Sequence, residues 1–214
     1  MIKKILDSLK VSTQNPGRFH DAIRKDIDFT GRKLWILFFA VLTACVGLNL
    51  NSKSILIGAM LISPILGPIN GLGYGIAITN KQILKESLKN FGIAVTVTLL
   101  VSTIYFLCSP EKGVTEEILN RTTPSFFHAI VGIAGGTVGI LAKSRKEDNN
   151  VVPGVAIATA LLPPLCTIGF GIATGRFELA GKSSLLFGTY ILTMITASGV
   201  TVKIMGLSGK DATS

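Results

Sequence analysis

The chain has 214 residues, 48% of them hydrophobic and only 15% charged, with a mean hydropathy of +0.56. That balance excludes an ordinary water-soluble domain, which needs more polar side chains to cover its outside. The 21 Lys and Arg and 12 Asp and Glu give a net charge of +9 and are spread unevenly.

The first 33 residues alternate polar and apolar side chains and lack the uninterrupted apolar core of a secretory signal. Ile2, Ile5, Leu6 and Leu9 repeat at helical spacing, Asn15-Pro16-Gly17 breaks the pattern, and Phe19, Ile23 and Ile27 begin a second apolar stripe. With Lys3, Lys4, Lys10, Arg18, Arg24, Lys25, Arg32 and Lys33 on other faces, the segment is expected to lie along an anionic leaflet.

Six stretches without Asp, Glu, Lys or Arg follow, at 34–52, 54–80, 90–110, 122–142, 149–175 and 183–202. Their lengths are 19, 27, 21, 21, 27 and 20 residues, and about 20 apolar residues cross a hydrocarbon core as a helix. None shows the strict two-residue alternation of a spanning barrel. The expected fold is an all-α membrane protein with six transmembrane helices. Cys45, Cys108 and Cys166 have no metal or disulfide spacing and read as small packing residues.

If all six cross with the N-terminus in the cytoplasm, 16 basic residues fall on the cytoplasmic side and five on the other. Both termini are therefore expected to be cytoplasmic, and this placement accounts for the +9 charge without nucleic acid. The expected layout is an amphipathic segment at 1–33, a three-helix unit at 34–110, an extracytoplasmic connector at 111–121, a second unit at 122–204 and a cytoplasmic tail at 205–214.

The 19-27-21 and 21-27-20 rhythm suggests one three-span unit used twice, and an odd number of spans makes the copies inverted repeats. A shift of 100 residues superposes Ile57 on Ile157, Leu61 on Leu161, Pro64 on Pro164, Gly71 on Gly171 and Gly75 on Gly175. Both 27-residue runs carry helix breakers. Ser63-Pro64-Ile65-Leu66-Gly67-Pro68-Ile69-Asn70 should interrupt the second span, and Leu162-Pro163-Pro164-Leu165-Cys166-Thr167 the fifth. Broken backbone persists in a membrane only where protein or a wet cavity satisfies it, and paired broken helices commonly build transporter sites.

Ser63, Pro64, Gly67, Pro68, Asn70, Pro163, Pro164 and Thr167 are thus the candidate solute or ion contacts, between the second and fifth spans near the midplane. Secondary candidates are Asn51 and Ser52, read first as the N-cap of the long second span, and Arg121 and Thr122, which precede the fourth. His128, the sole ionisable side chain inside any predicted span, is another, although a neutral histidine near the interface can simply hydrogen-bond.

Glycines four apart (Gly67, Gly71, Gly75; Gly132, Gly136; Gly135, Gly139; Gly171, Gly175) mark faces for close packing, within the bundle or between protomers of a homo-oligomer. The spans hold no carboxylate pair and the chain no HExxH or GxSxG, so no enzyme, metal or cofactor is expected.

Asn51-Ser52, Ile57-Gly58-Ala59-Met60-Leu61-Ile62-Ser63-Pro64, Gly67-Pro68-Ile69, Arg121-Thr122 with Pro124, and Pro153-Gly154-Val155-Ala156-Ile157-Ala158 leading to Leu161-Leu162-Pro163-Pro164-Leu165 resemble the domain of unknown function 389 family. The resemblance covers roughly residues 33 to 205. It implies a polytopic protein of a prokaryotic cell (inner) membrane with no assigned reaction. A transporter-like protein for a small solute or ion is the leading expectation. An oligomeric channel and a non-transporting assembly or sensing module are the alternatives.

Overall fold

The computed structural model describes residues 16–29, 31–144 and 161–207, all helix and short turns. The helices in chain order are α1 (Pro16–Ile27), α2 (Arg32–Asn49), α3 (Lys53–Ile62), α4 (Leu66–Ala77), α5 (Lys81–Cys108), α6 (Glu116–Leu119), α7 (Phe126–Ser144), α8 (Leu162–Ala173) and α9 (Phe177–Ile204). Four of them, α2, α5, α7 and α9, are long and apolar enough to cross a membrane, and α3 with α4 makes a fifth candidate bent by 55°. Of the fifth uncharged run only the part from residue 161 is described, as the 12-residue α8.

The helix ends follow local chemistry rather than hydropathy. α5 begins nine residues before its uncharged run because the Asn80 side chain accepts from the backbone N–H groups of Gln82 and Ile83, so Lys81, Lys85, Glu86 and Lys89 are helical. Ser63 takes the extended conformation that a following proline imposes, which ends α3 and lets the chain bend into α4. Ser52 occupies the N-cap position of α3, yet its hydroxyl makes no capping bond.

Only the first of the two expected breaks is an interruption between described helices. Pro163 and Pro164 lie in the first turn of α8, where a missing N–H costs no helical bond, so they open that helix; the part of the run before residue 161 lies outside the described residues. Pro68 sits in the first turn of α4 in the same way. The Pro153–Ala158 motif and the Ile2–Leu9 stripe lie outside the described residues.

α4 and α8 are each 12 residues long and α5 and α9 each 28, and both pairs stand 96 residues apart rather than 100. That register matches Pro68 with Pro164, Gly73 with Gly169, Gly75 with Gly171, Ser87 with Ser183, Phe91 with Phe187 and Ser102 with Ser198. It also matches Thr79 with Gly175, which take positive φ angles of 57° and 71° in the turns leading to α5 and α9.

Each short helix packs on both long ones, while α2 lies along α5 and α7 along α9. The contacts correspond: Gly73 of α4 meets Ser198 of α9, and Gly169 of α8 meets Ser102 of α5, in both cases so closely that a Cβ would clash. The rings of Phe91 and Phe187 stack on each other at 6.3 Å between α5 and α9.

The α1 stripe does not face lipid. Phe19, Ile23 and Ile27 are buried against Tyr74, Ile78, Ile83 and Val202, and the basic side chains of α1 remain outside. Around its last turn, Asn90 donates to the Ile27 carbonyl at 2.8 Å, Lys33 to those of Lys25 and Asp26, and Lys143 pairs with Asp26.

Candidate functional site

The polar side chains expected near the breaks are buried, and three of them are incompletely paired. Asn70, in the second turn of α4, is 2% exposed. Its Oδ1 accepts from Ser198 of α9 at 3.0 Å, and that hydroxyl also lies 3.2 Å from the carbonyl oxygen of Gly136 in α7. Its Nδ2 has no partner and lies over Gly139, which has no Cβ to displace it. Turning the amide over would exchange the two ends and leave Oδ1 orphaned instead.

Thr167 in α8 is fully buried and its Oγ1 has no partner. The Ser63 hydroxyl at the α3–α4 bend is also buried and unpaired. So is the Ser87 hydroxyl on α5, which faces Gly71 of α4. Native interiors pair the great majority of such atoms, so these hydroxyls and this amide around the two short helices are an anomaly that calls for a ligand, water or motion.

The candidates do not converge on one point. α4 and α8 make little or no direct contact, so Gly67, Pro68 and Asn70 belong to one group, on α4, and Pro163, Pro164 and Thr167 to another, on α8. Gly67 fits tightly beneath the Asp26 carbonyl of α1. On the α8 side, Ser183 donates to the carbonyl oxygens of Arg121 at 2.9 Å and Pro164 at 3.1 Å.

Asn51 and Arg121 form a separate clamp with a residue not anticipated from sequence. Glu117 of α6 is 1% exposed, pairs with Arg121 at 3.0 Å and lies 3.9 Å from Lys53. Its backbone N–H donates to Asn51 Oδ1 at 2.9 Å, and Thr115 Oγ1 donates to the Leu48 carbonyl. Asn51 has φ 51°, a left-handed turn that asparagine tolerates. Thr122 donates to its own turn, at the Leu119 carbonyl. The clue was the spacing of Glu117 four residues before Arg121, which favours an ion pair on one helical turn.

His128 stands in the first turn of α7, where its Nδ1 accepts from the Ser125 N–H at 3.0 Å and its ring meets Tyr190 edge-on at 5.6 Å. Ser198, Gly136 and Gly139 were also missed as site residues. The Ala197-Ser198-Gly199 triplet and the glycine pairs, small residues within apolar runs, were the available signal.

The long helices turn large apolar side chains outward, among them Trp35 at 66% exposure, Leu100, Phe126, Leu185 and Leu192. Such faces suit hydrocarbon and not water. The fold is therefore that of a multi-pass helical membrane protein in contact with the lipid bilayer. The chain belongs to the family described as Domain of unknown function (DUF389), whose model matches residues 60–196. It is 26% identical over 187 residues to the uncharacterized protein MJ0678 of Methanocaldococcus jannaschii, covering 87% of this chain and 58% of that relative. The chain thus spans less than two thirds of the length of the relative it matches. No solved structure matches it.

Proposed function

We propose that this protein is a transporter-like membrane protein built from two inverted three-helix repeats, moving a small neutral solute or anion past the two short helices. The observation that carries this reading is the set of buried, unpartnered atoms on and beside α4 and α8: Ser63 Oγ, Asn70 Nδ2, Ser87 Oγ and Thr167 Oγ1. They are uncharged dipoles that a passing solute or its water can satisfy, and the N-terminal ends of α4 and α8 add partial positive charge.

The constant 96-residue offset and the reciprocal Gly73–Ser198 and Gly169–Ser102 contacts support the repeat. An odd-span unit used twice must be inverted, which with the basic-residue asymmetry puts both termini in the cytoplasm. The basic outer face of α1 suits anionic lipid, and the protein works as a homo-oligomer without an enzymatic reaction.

The test is flux in proteoliposomes, using osmotic shrinkage for neutral solutes and tracer uptake for small anions. A wild-type activity that falls at least tenfold in Thr167→Val supports the reading; full flux in that variant contradicts it. Sustained unitary currents in a planar bilayer would replace the transporter reading with that of an oligomeric channel.

A further inference from the structure

We propose that the furrow between α7 and α9 holds one acyl chain of an anionic phospholipid, with Lys203 at its mouth contacting the headgroup. The furrow has a volume of about 480 Å³ and is walled by Ile133, Leu141, Leu192, Thr196, Val200 and Ile204, among others. Among the described residues that line it, Thr137 is the one threonine whose hydroxyl is not spent within its own helix. Thr193, Thr196 and Thr201 each spend their hydroxyl on a carbonyl of their own helix at 2.7 Å, those of Thr189, Leu192 and Ala197, and so present methyl groups.

The wall is therefore apolar, and both helices are long enough to cross the membrane, so the furrow opens on lipid. Gly132 and Gly136 bring α7 directly onto Thr193 and Met194 of α9, which closes its floor. An elongated apolar guest from the bilayer fits this shape; a polar solute would find only the Thr137 hydroxyl to pair with.

Charge selects the headgroup. Lys203 is exposed in the last turn of α9, beside the lining residues Thr201 and Ile204, and has no ion-pair partner among the described residues. Lys143, in the last turn of α7, is already held by Asp26. The fold supplies its own comparison. A furrow of about 370 Å³ between α2 and α5 uses Val101, Ile104, Tyr105 and Cys108, each 96 residues before a residue lining the first, and there Leu107 stands at the position of Lys203.

The full chain is purified in detergent with equal amounts of dioleoyl phosphatidylglycerol and dioleoyl phosphatidylcholine, and retained lipids are counted by native mass spectrometry. Wild type should retain the phosphatidylglycerol in about fivefold preference, the effect of one basic side chain near a lipid charge. Lys203→Gln should abolish the preference while a lipid remains bound. Thr196→Phe and Val200→Trp, at exposed positions of the furrow, should reduce retention of both lipids with the melting temperature unchanged. Equal retention by wild type, or a preference that survives Lys203→Gln, overturns the proposal. So does a furrow variant that dissociates an oligomer without changing the lipid count, because a second copy then fills the furrow.

Discussion

A primary amide has two ends, and in the interior Asn70 satisfies only one. Leaving a buried polar group unpaired costs about 1–3 kcal/mol, which singles out Asn70 for a role beyond packing. Replacing Asn70 with leucine removes the orphan and lets Ser198 donate to the Gly136 carbonyl alone. Its melting temperature in detergent should therefore stay level or rise while flux falls at least tenfold. A variant that melts lower and transports normally would make Asn70 a packing residue. Glycine gives a second residue-scale prediction. A Cβ at Gly136 would strike the Met194 backbone, so Gly136→Ala should cost about 1–3 kcal/mol. At Gly58 nothing lies within 4 Å, and Gly58→Ala should be neutral or stabilising by up to about 1 kcal/mol in the same melting series.

At the scale of elements, α1 is a docked helix whose seat contains a titratable group. His20 is 8% exposed, and its Nδ1 lies 3.2 Å from the Tyr74 hydroxyl. Burial and then the Arg24 charge lower its pKa from 6.5, with Asp21 opposing. The docked state thus favours neutral His20 and binds fewer protons than the released one. Docking is at full strength above pH 6.5 and weakens as pH falls through the lowered value. Protection factors across residues 16–27, the intrinsic exchange rate at each pH divided by the observed one, should fall between pH 8 and pH 5, and His20→Phe should flatten that dependence; equal protection at both pH values would contradict it. The Ser63–Pro64 bend is the other elemental device. Pro64→Ala should insert normally, by protease protection, yet alter flux by straightening the α3–α4 junction; unchanged flux would count against a role for the bend.

Helix identity and the α3–α4 bend could be read from hydropathy and proline chemistry, because both are local. Hydropathy cannot see a cap, so it missed that α5 starts at Lys81 behind Asn80. Nor could it tell that the apolar face of α1 would find protein instead of lipid, since an amphipathic stripe suits either surface. The candidate residues Ser63, Asn70 and Thr167 were found because polar side chains near breaks are few. Their separation into two groups depends on how α4 and α8 pack on α5 and α9, which no residue spacing encodes.

Over the whole molecule, α4 and α5 stand 96 residues before α8 and α9. The expected 100-residue shift aligned Pro64 with Pro164, whereas the helix bounds align Pro68 with Pro164, because the equivalent prolines are those in the first turns of α4 and α8. This register pairs Lys81, the first residue of α5, with Phe177, the first of α9, both exposed. An inverted repeat puts these two positions on opposite faces of the membrane. The direct measurement places a single cysteine at Lys81 or at Phe177 in a chain whose Cys45, Cys108 and Cys166 are replaced by alanine. Each is then labelled with a membrane-impermeant maleimide on intact cells and on inverted vesicles. The account predicts that Lys81→Cys reacts only in inverted vesicles and Phe177→Cys only in intact cells. Reaction of both from the same side would contradict it.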